Sequence, residues 1–402
     1  MVDQALSHIK VLDLTHYVAG PFCAKLLADY GAQVIKVERP GRGDPARSLG
    51  PFFRDHPHPE KSGLFLHLNS NKLSITLNLK SSTGALIFEE LLTWADVVVE
   101  NFRPGVMERL DLSYPRLSGI KPGLIMTSIS NFGQSGPYRD FKATDMVEFA
   151  LGGPMLFTGT REREPVKLGG RVGLCFAGQA AAIATLMALY RHDSDGSGDH
   201  IDISIMDTQA GNIDRQTALL LTYQYTGRRW SRPFTSESYL GGIYPCKDGY
   251  VDIRGRERFP SVVGMLDMPE LLEDPRFATI EAREQPQNIQ TLDRIVGDWL
   301  AQHTKREIWE KAQRHRVISA PMYSMADVSE DPHFRVRGLW TTADRAHVGT
   351  LEYPGRPFIM EASPWQLKRP APLLGQHNEE LFCGMLGYCP GDLVRLRQTG
   401  II

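Results

Sequence analysis

The first forty residues alternate between apolar and polar positions in a way that predicts strand, helix, strand. HIKVLDLT sets Val11 and Leu12 beside polar Asp13, as in a buried strand. GPFCAKLLADYGA then carries Phe22, Leu26 and Leu27 at helical spacing and closes at Gly31, a position suited to a helix C-cap. AQVIKVER returns to a β-branched strand pattern. Strand–helix–strand in so short a span implies a right-handed βαβ unit in a parallel sheet.

The alternation continues. LSITLNL reads as a strand, STGALIFEELLTWA as an amphipathic helix with a Ser/Thr start, DVVVEN as a compact buried strand, and LIMTSISNFG as a strand ending in a glycine turn. IDISIMD reads as a strand or the start of a helix. The fold class is therefore α/β, a Rossmann-like open parallel sheet with helices on both faces. Ligands of such sheets bind beyond the carboxyl ends of the strands, here the Gly- and Pro-rich stretches Thr15–Gly20, Glu38–Gly43, Asn101–Gly105 and Ser130–Gly136. Further on, Thr222–Ser238 has turn residues, arginines and aromatics without a period and reads as a linker. GGIYPCKDGYVDIRG reads as a hairpin turning at Lys247-Asp248-Gly249, mainly helical sequence follows to about His315, and LWTTADRAHVGTLEYPG is strand-like. The expected division is a large α/β domain over 1–221, a linker over 222–240, a smaller domain over 241–336, and a C-terminal part, 337–402, that returns to the large domain.

Composition narrows the function. The 402 residues carry 45 Lys+Arg against 47 Asp+Glu, a formal net charge of −2, which speaks against a nucleic-acid binder. At 42% hydrophobic and 23% charged, the chain is that of a folded globular protein. The five cysteines (Cys23, Cys175, Cys246, Cys383, Cys389) lack zinc-finger or CxxC spacing and suit reduced thiols in a cytoplasmic protein. MVDQALSHIK has no apolar core of a signal peptide. The one membrane-like run, Leu174–Tyr190, falls short of the roughly 20 residues of a bilayer crossing and reads as a buried core helix. His56 and His58 lie in a proline-bounded HPHP loop, and no metal is expected. GxGxxG, GxxxxGK[ST] and GxSxG are all missing, which weakens nicotinamide, P-loop and α/β-hydrolase readings. What remains is a set of basic residues at or near strand ends, Arg39, Lys72, Lys80, Arg103, Arg109 and Lys142, which together suit an extended, phosphorylated ligand.

The same stretches resemble the class III CoA-transferase family, which includes formyl-CoA transferase, carnitine CoA-transferase and α-methylacyl-CoA racemase. VLDLTHYVAGPFCAKLLADYGAQVIKVERPGRGD resembles the family's opening. NSNKLSITLNLKSSTG, ADVVVENFRPGVMERL, SISNFGQSGPYRDFKATDMVEFALGGPMLFTG, ALYRHDSDGSGDHIDISIMD, SAPMYSMADVSEDPHFRVRG and APLLGQHNEEL follow in order. The resemblance implies an intertwined, ring-like dimer and a CoA ester as substrate. It places CoA contacts at Val18, Ala19, Arg39, Leu77, Lys80, Asn101, Phe102, Arg103, Arg109, Lys142 and Thr144. Arg39 and Arg109 would meet the nucleotide phosphates, and the Asn101–Arg103 backbone and Lys142 would guide the pantetheine arm. Val18 stands where formyl-CoA transferase has glutamine.

Family transferases use an aspartate that attacks the acyl-CoA thioester, four residues before a glycine that opens the Ala-rich helix. Here that glycine is Gly178 and the position is Leu174, and RVGLCFAGQ holds no carboxylate at all. The racemase's histidine position matches Thr144. Cys175 reads as an inert core thiol more readily than as a substitute nucleophile. Asp145 reads equally as an auxiliary active-site carboxylate or as a helix N-cap. The resemblance thus implies a non-nucleophilic subunit of a heteromeric CoA-transferase, completed by an Asp-bearing paralogue, as (R)-benzylsuccinate CoA-transferase is built. Apolar Val18 and Leu174, with Tyr17, Tyr239 and Tyr244 nearby, would tolerate an aryl or bulky acid. The alternatives are a self-sufficient homodimeric CoA-ester isomerase or lyase, and a CoA-ester-binding protein without turnover.

Overall fold

The computed structural model describes residues 4–211, 214–229, 232 and 240–402. Six parallel strands form the main sheet: β1 (Lys10–Asp13), β2 (Gln33–Glu38), β3 (Lys72–Thr76), β4 (Val97–Glu100), β5 (Ile125–Ser130) and β6 (Asp199–Ser204). Their order is β3-β2-β1-β4-β5-β6, so the chain reverses its direction of travel across the sheet between β1 and β4. That reversal opens a crevice beyond the carboxyl ends of these two strands, where open α/β sheets bind their ligands.

The two faces of the sheet are read off the period of two. Leu12, Ile35, Ile75, Val98 and Met126 point to one core, shared with the helix Ser82–Trp94 and the C-terminal helices Asn378–Gly384 and Pro390–Gln398. Val11, Val34, Val97, Val99 and Ile125 point to the other, shared with the helices Ala19–Asp29 and Val172–Asp195. Ser81 caps the helix Ser82–Trp94 by accepting from the Gly84 N–H. The C-terminal segment also covers the β3 edge. His377 exchanges bonds with the Ser74 backbone, and Asn378 Oδ1 accepts from Thr76 N–H at 2.9 Å, so this edge presents no open ladder.

Two helices depart from their sequence reading. The apolar run 174–190 lies inside a 24-residue helix, Val172–Asp195, which is long and apolar enough by length and composition to cross a membrane. It packs through Ala177, Ala181 and Ala182 against the helix Ala19–Asp29, and Thr185 hydrogen-bonds Thr127 of β5 at 2.8 Å. Gly178 does not open this helix but sits well inside it. A Cβ there would lie 2.5 Å from the Ala19 carbonyl, so glycine is required by the close approach of the two helices. The second departure is the helix Asp214–Thr226, which extends into the stretch read as a linker.

The chain divides into two compact units: Met1–Thr158, Pro165–Ser231 and Val336–Ile402 form one, and Gly159–Glu164 with Arg232–Arg335 form the other. In the smaller unit, β7 (Gly241–Cys246) and β8 (Gly249–Arg254) form the expected hairpin. Gly249 already pairs with Cys246, so the turn proper is Lys247-Asp248. A third strand, β9 (Ile318–Pro321), joins it from the far end of the unit. In the larger unit, β10 (Trp340–Arg345) and β11 (Gly349–Pro354) form a separate hairpin.

Candidate functional site

The crevice is built on loops bolted from beneath. Asn101, just past β4, accepts from His16 N–H (2.7 Å) and donates to the His16 carbonyl (2.8 Å), tying the loops after β1 and β4 together. The His16 ring meets Phe102 edge-on at 5.5 Å. Under this clamp lies a wholly buried ionic network. Lys72 pairs with Asp13 (2.8 Å), Lys36 with Asp44 (2.9 Å), and Arg47 with Glu38 (2.8 Å). Lys36 also donates to the Thr15 carbonyl, and Asp44 Oδ1 accepts from the Tyr17 N–H, holding half-exposed Tyr17 at a positive φ of 65°. Burial works to raise the Asp13 pKa, but Lys36 and Lys72 together pull it below its ordinary value. Burial drives Lys72 down to about 8, against the pull of Asp13. Lys72, read as a rim cation, is instead fully buried, because its strand begins beneath the loops that Asp13 and Pro21 anchor.

Around this base the sequence-predicted residues fall in place as follows. Val18 and Ala19 are buried at the N-terminus of the helix Ala19–Asp29, and Leu77 is buried just past β3 in the core against which Phe102 packs. Asn101 and Phe102 are half-buried. Arg39, Lys80, Arg103, Arg109 and Lys142 are exposed and form no ion pair among the described residues. Thr144 is exposed and is the N-cap of the helix Asp145–Leu151, without a side-chain bond. Asp145 is accordingly not a cap but the first helical residue, and it pairs with Lys167 at 2.8 Å. Tyr244 packs on the smaller unit's own core, its hydroxyl toward Asp293, and Tyr239 lies outside the described residues.

Leu174 stands in the first turn of the helix Val172–Asp195, half-buried against the core that includes Ala177 and Ala19. Next to it, burial pushes the Cys175 thiol up and the neighbouring Asp145 charge raises it further. A thiol in that state is a poor nucleophile, because the thiolate is the reactive form.

Two buried acids escaped the sequence reading. Glu148, one turn after Asp145, is buried with Oε2 unpartnered. Asn131, at the carboxyl end of β5, donates to its Oε1 at 2.9 Å when its amide is oriented to satisfy both ends. Burial, with Asp145 adding, pushes Glu148 up to about 7. Its only local signal is its place between apolar Val147 and Phe149 in DMVEFAL. The folded state holds this proton to about pH 7, whereas an unfolded glutamate releases it near 4.5. The contribution to stability is therefore complete below about pH 4.5 and lost as pH rises through about 7. Glu148→Gln is expected to flatten the fall in Tm between about pH 5 and pH 8, measured by thermal melts across that range. A profile identical to the parent's would count against a protonated Glu148.

The second acid, Glu100, ends β4 and accepts from the Phe102 N–H at 2.7 Å, bracing the loop that carries Asn101–Arg103. Burial pushes it up to about 7, against a bond from Ser128. With Arg103, Tyr114, Ser128 and His200 it lines a cavity of about 20 Å³, room for one water. Among the described residues no cluster of three or more His, Cys, Asp or Glu could hold a metal ion.

Comparison with known proteins places this arrangement. The sequence profile of CoA-transferase family III matches residues 6–378. Succinyl-CoA–D-citramalate CoA-transferase of Chloroflexus aurantiacus is 34% identical over 402 residues, covering 99% of this chain and 98% of the relative. Succinyl-CoA:(R)-benzylsuccinate CoA-transferase subunit BbsE of Thauera aromatica is 30% identical, covering 98% of each. A crystal structure of a CAIB/BAIF family protein from Brucella suis superimposes with a TM-score of 0.84 at 29% identity, covering 95% of this chain and 99% of that one.

Proposed function

Since the chain belongs to CoA-transferase family III, we propose that it is the non-nucleophilic subunit of a heteromeric CoA-transferase, completed by a paralogue that brings the aspartate. The observation that carries this reading is Leu174. The family's nucleophile position is occupied by a side chain that cannot attack a thioester, and no carboxylate lies anywhere in Val172–Gly178. The nearest alternatives are disarmed. The Cys175 thiol is raised and Asp145 is paired with Lys167.

The CoA half of the site has what such a ligand needs. Val18, Ala19, Leu77 and Phe102 supply apolar surface for it, and Arg39, Lys80, Arg103, Arg109 and Lys142 are exposed cations available to its phosphates. Asn101 and Thr144 complete the proposed contacts to CoA. Asp145, paired with Lys167, is an auxiliary group of the site in this reading and not a nucleophile. The chemistry at the partner's aspartate would be covalent: its carboxylate attacks the acyl-CoA carbonyl and releases CoA thiolate, the thiolate returns to give an aspartyl-CoA thioester, and the acceptor acid takes the CoA.

Assembly has its own support. Along the helix Val172–Asp195, Ile183, Leu186, Met187 and Tyr190 form an i, i+3, i+4, i+7 stripe that is exposed in the single chain, a surface suited to a second, intertwined subunit. The relative BbsE is by its name one subunit of such an enzyme. Both relatives described above carry succinyl-CoA in their names, which supports succinyl-CoA as the donor. Apolar Val18 and Leu174 beside Tyr17 suit a bulky or aryl acceptor acid.

The test is to express the chain alone, measure CoA binding by calorimetry, and assay thioester exchange from succinyl-CoA to aliphatic and aromatic acids. The expected result is binding without exchange, and exchange on adding an Asp-bearing paralogue. Exchange by the pure chain would overturn the heteromeric reading and return attention to Asp145 and Glu148 as an acid/base pair.

A further inference from the structure

Arg139 is a residue that neither the strand-end pattern nor the family resemblance singled out. It lies in the loop after β5, and its side chain reaches back to the loop after β4. A Cβ built on Gly105 would stand 3.2 Å from Arg109 Nη1 and 3.7 Å from Arg139 Nη2. Two guanidinium groups, one from the short helix Val106–Arg109 and one from the loop after β5, therefore converge on one point. Gly105, at φ 78°, leaves that point open, because it has no side chain to fill it.

The convergence is electrostatically unfavourable as it stands. Like charges within a few ångströms repel, and more strongly where water is partly excluded. No acidic side chain among the described residues forms an ion pair with either arginine. Arg139 is half-buried and its Nε is removed from solvent with no acceptor. A desolvated donor without an acceptor is costly. An anion placed between the two groups offsets the repulsion between them, and a phosphate matches the planar fork of guanidinium.

The base of Arg139 is held in place. Gln134 N–H donates to Asp202 Oδ2 at 2.9 Å, Phe141 N–H donates to the Tyr138 carbonyl at 2.8 Å, and the Tyr138 and Phe141 rings stack at 5.2 Å. The loop thus presents Arg139 from a fixed turn.

We propose that Arg139 and Arg109 form a two-arginine clamp above Gly105 that grips a phosphate group of CoA. The assignment rests on the CoA reading above and adds Arg139 as a determinant of affinity for the phosphorylated half of the ligand. The phosphate is either the 3′-phosphate or the diphosphate, and the two differ in what they predict for dephospho-CoA.

The full chain and its Arg139→Ala and Arg139→Lys variants are titrated with CoA, dephospho-CoA, pantetheine and inorganic pyrophosphate by calorimetry at two salt concentrations. Sedimentation gives the oligomeric state of each. Arg139→Ala is expected to weaken CoA by roughly 10- to 100-fold, the loss of a charge-assisted bond to phosphate. Arg139→Lys, which keeps the charge but not the fork, is expected to fall between, and pantetheine binding is expected not to change. If dephospho-CoA loses affinity to the same extent, the clamp holds the diphosphate. If dephospho-CoA is insensitive to Arg139, it holds the 3′-phosphate.

Parental CoA affinity in both variants would overturn the clamp. So would a change in subunit association at unchanged CoA affinity, because Arg139 would then answer to an acid of a second subunit. Failure of the CoA reading looks different. The parent would bind pyrophosphate but not CoA, and loss of pyrophosphate binding in Arg139→Ala would uphold the clamp as an anion site. A parent that binds neither ligand would overturn both.

Discussion

Leu174→Asp is expected to give the isolated chain a covalent intermediate that the parent never forms. Incubated with succinyl-CoA, the variant should show a CoA adduct by intact-protein mass spectrometry, together with thioester exchange to an acceptor acid. The position favours a carboxylate in one respect, since residue 174 lies in the first turn of a 24-residue helix whose dipole stabilises negative charge there. The surroundings oppose it, because Leu174 packs on an apolar core of alanines and valines. The half-buried aspartate would therefore carry some desolvation, at a stability cost of about 1–3 kcal/mol. Loss of a covalent nucleophile costs an enzyme on the order of 10⁶-fold in kcat. Recovery of even a small part of that would stand far above the background of the parent chain. Leu174→Asn supplies the control of equal shape without a nucleophile. A Leu174→Asp chain that binds CoA yet forms no adduct would show that more than one residue has been lost, and would favour a CoA-ester-binding protein without turnover.

The second large effect is on stability. Asp13→Ala is expected to destabilise the fold by about 3–5 kcal/mol, the usual cost of removing one partner from a buried ion pair. At roughly 2–4 °C per kcal/mol for a domain of this size, Tm should fall by about 10 °C. Lys36 would keep Asp44 and the Thr15 carbonyl, but Lys72 would be left with only Asn69 Oδ1 and the Pro21 carbonyl. The pH dependence identifies the cause. Burial already holds Lys72 at about 8, below its unfolded value of 10.5, so the unfolded chain binds the extra proton between those values and stability rises with pH there. Without Asp13 the folded value drops further and that window widens downward. The deficit in Tm should therefore shrink from pH 7 to pH 9. The double variant Asp13→Ala, Lys72→Met should recover most of the loss, since no buried charge is stranded. A loss that is equal at both pH values and unrelieved in the double variant would point to the Thr15 bonds of Asp13 instead.

Much of this molecule was legible in short windows of sequence. VIKVE and VVVE announce strands, and STGALIFEELL a capped helix, because side-chain direction repeats locally with period 2 or 3.6. The strand ends were legible too, because glycine and proline punctuate turns locally. The absence of a carboxylate before Gly178 needed no structure either, since it is a statement about residue identity. Lys36 and Lys72, by contrast, are ordinary basic residues in sequence. Only the parallel register of β1, β2 and β3 brings them to Asp13 and makes them structural.

The sequence alone determined the α/β class, the order of the first five strands along the chain, the family, and that no carboxylate stands in Val172–Gly178. These follow from local periodicity and from which residues stand in line. Tertiary structure decided that Gly178 lies within a helix pressed on Ala19, that β9 joins a hairpin over sixty residues earlier, that Asp145 meets Lys167, and that Arg139 turns toward Arg109. Each of those is a meeting of segments distant in the chain. Which charges and donors end up facing one another is set by the packing that brings the segments together, and a residue's neighbours in sequence do not specify it.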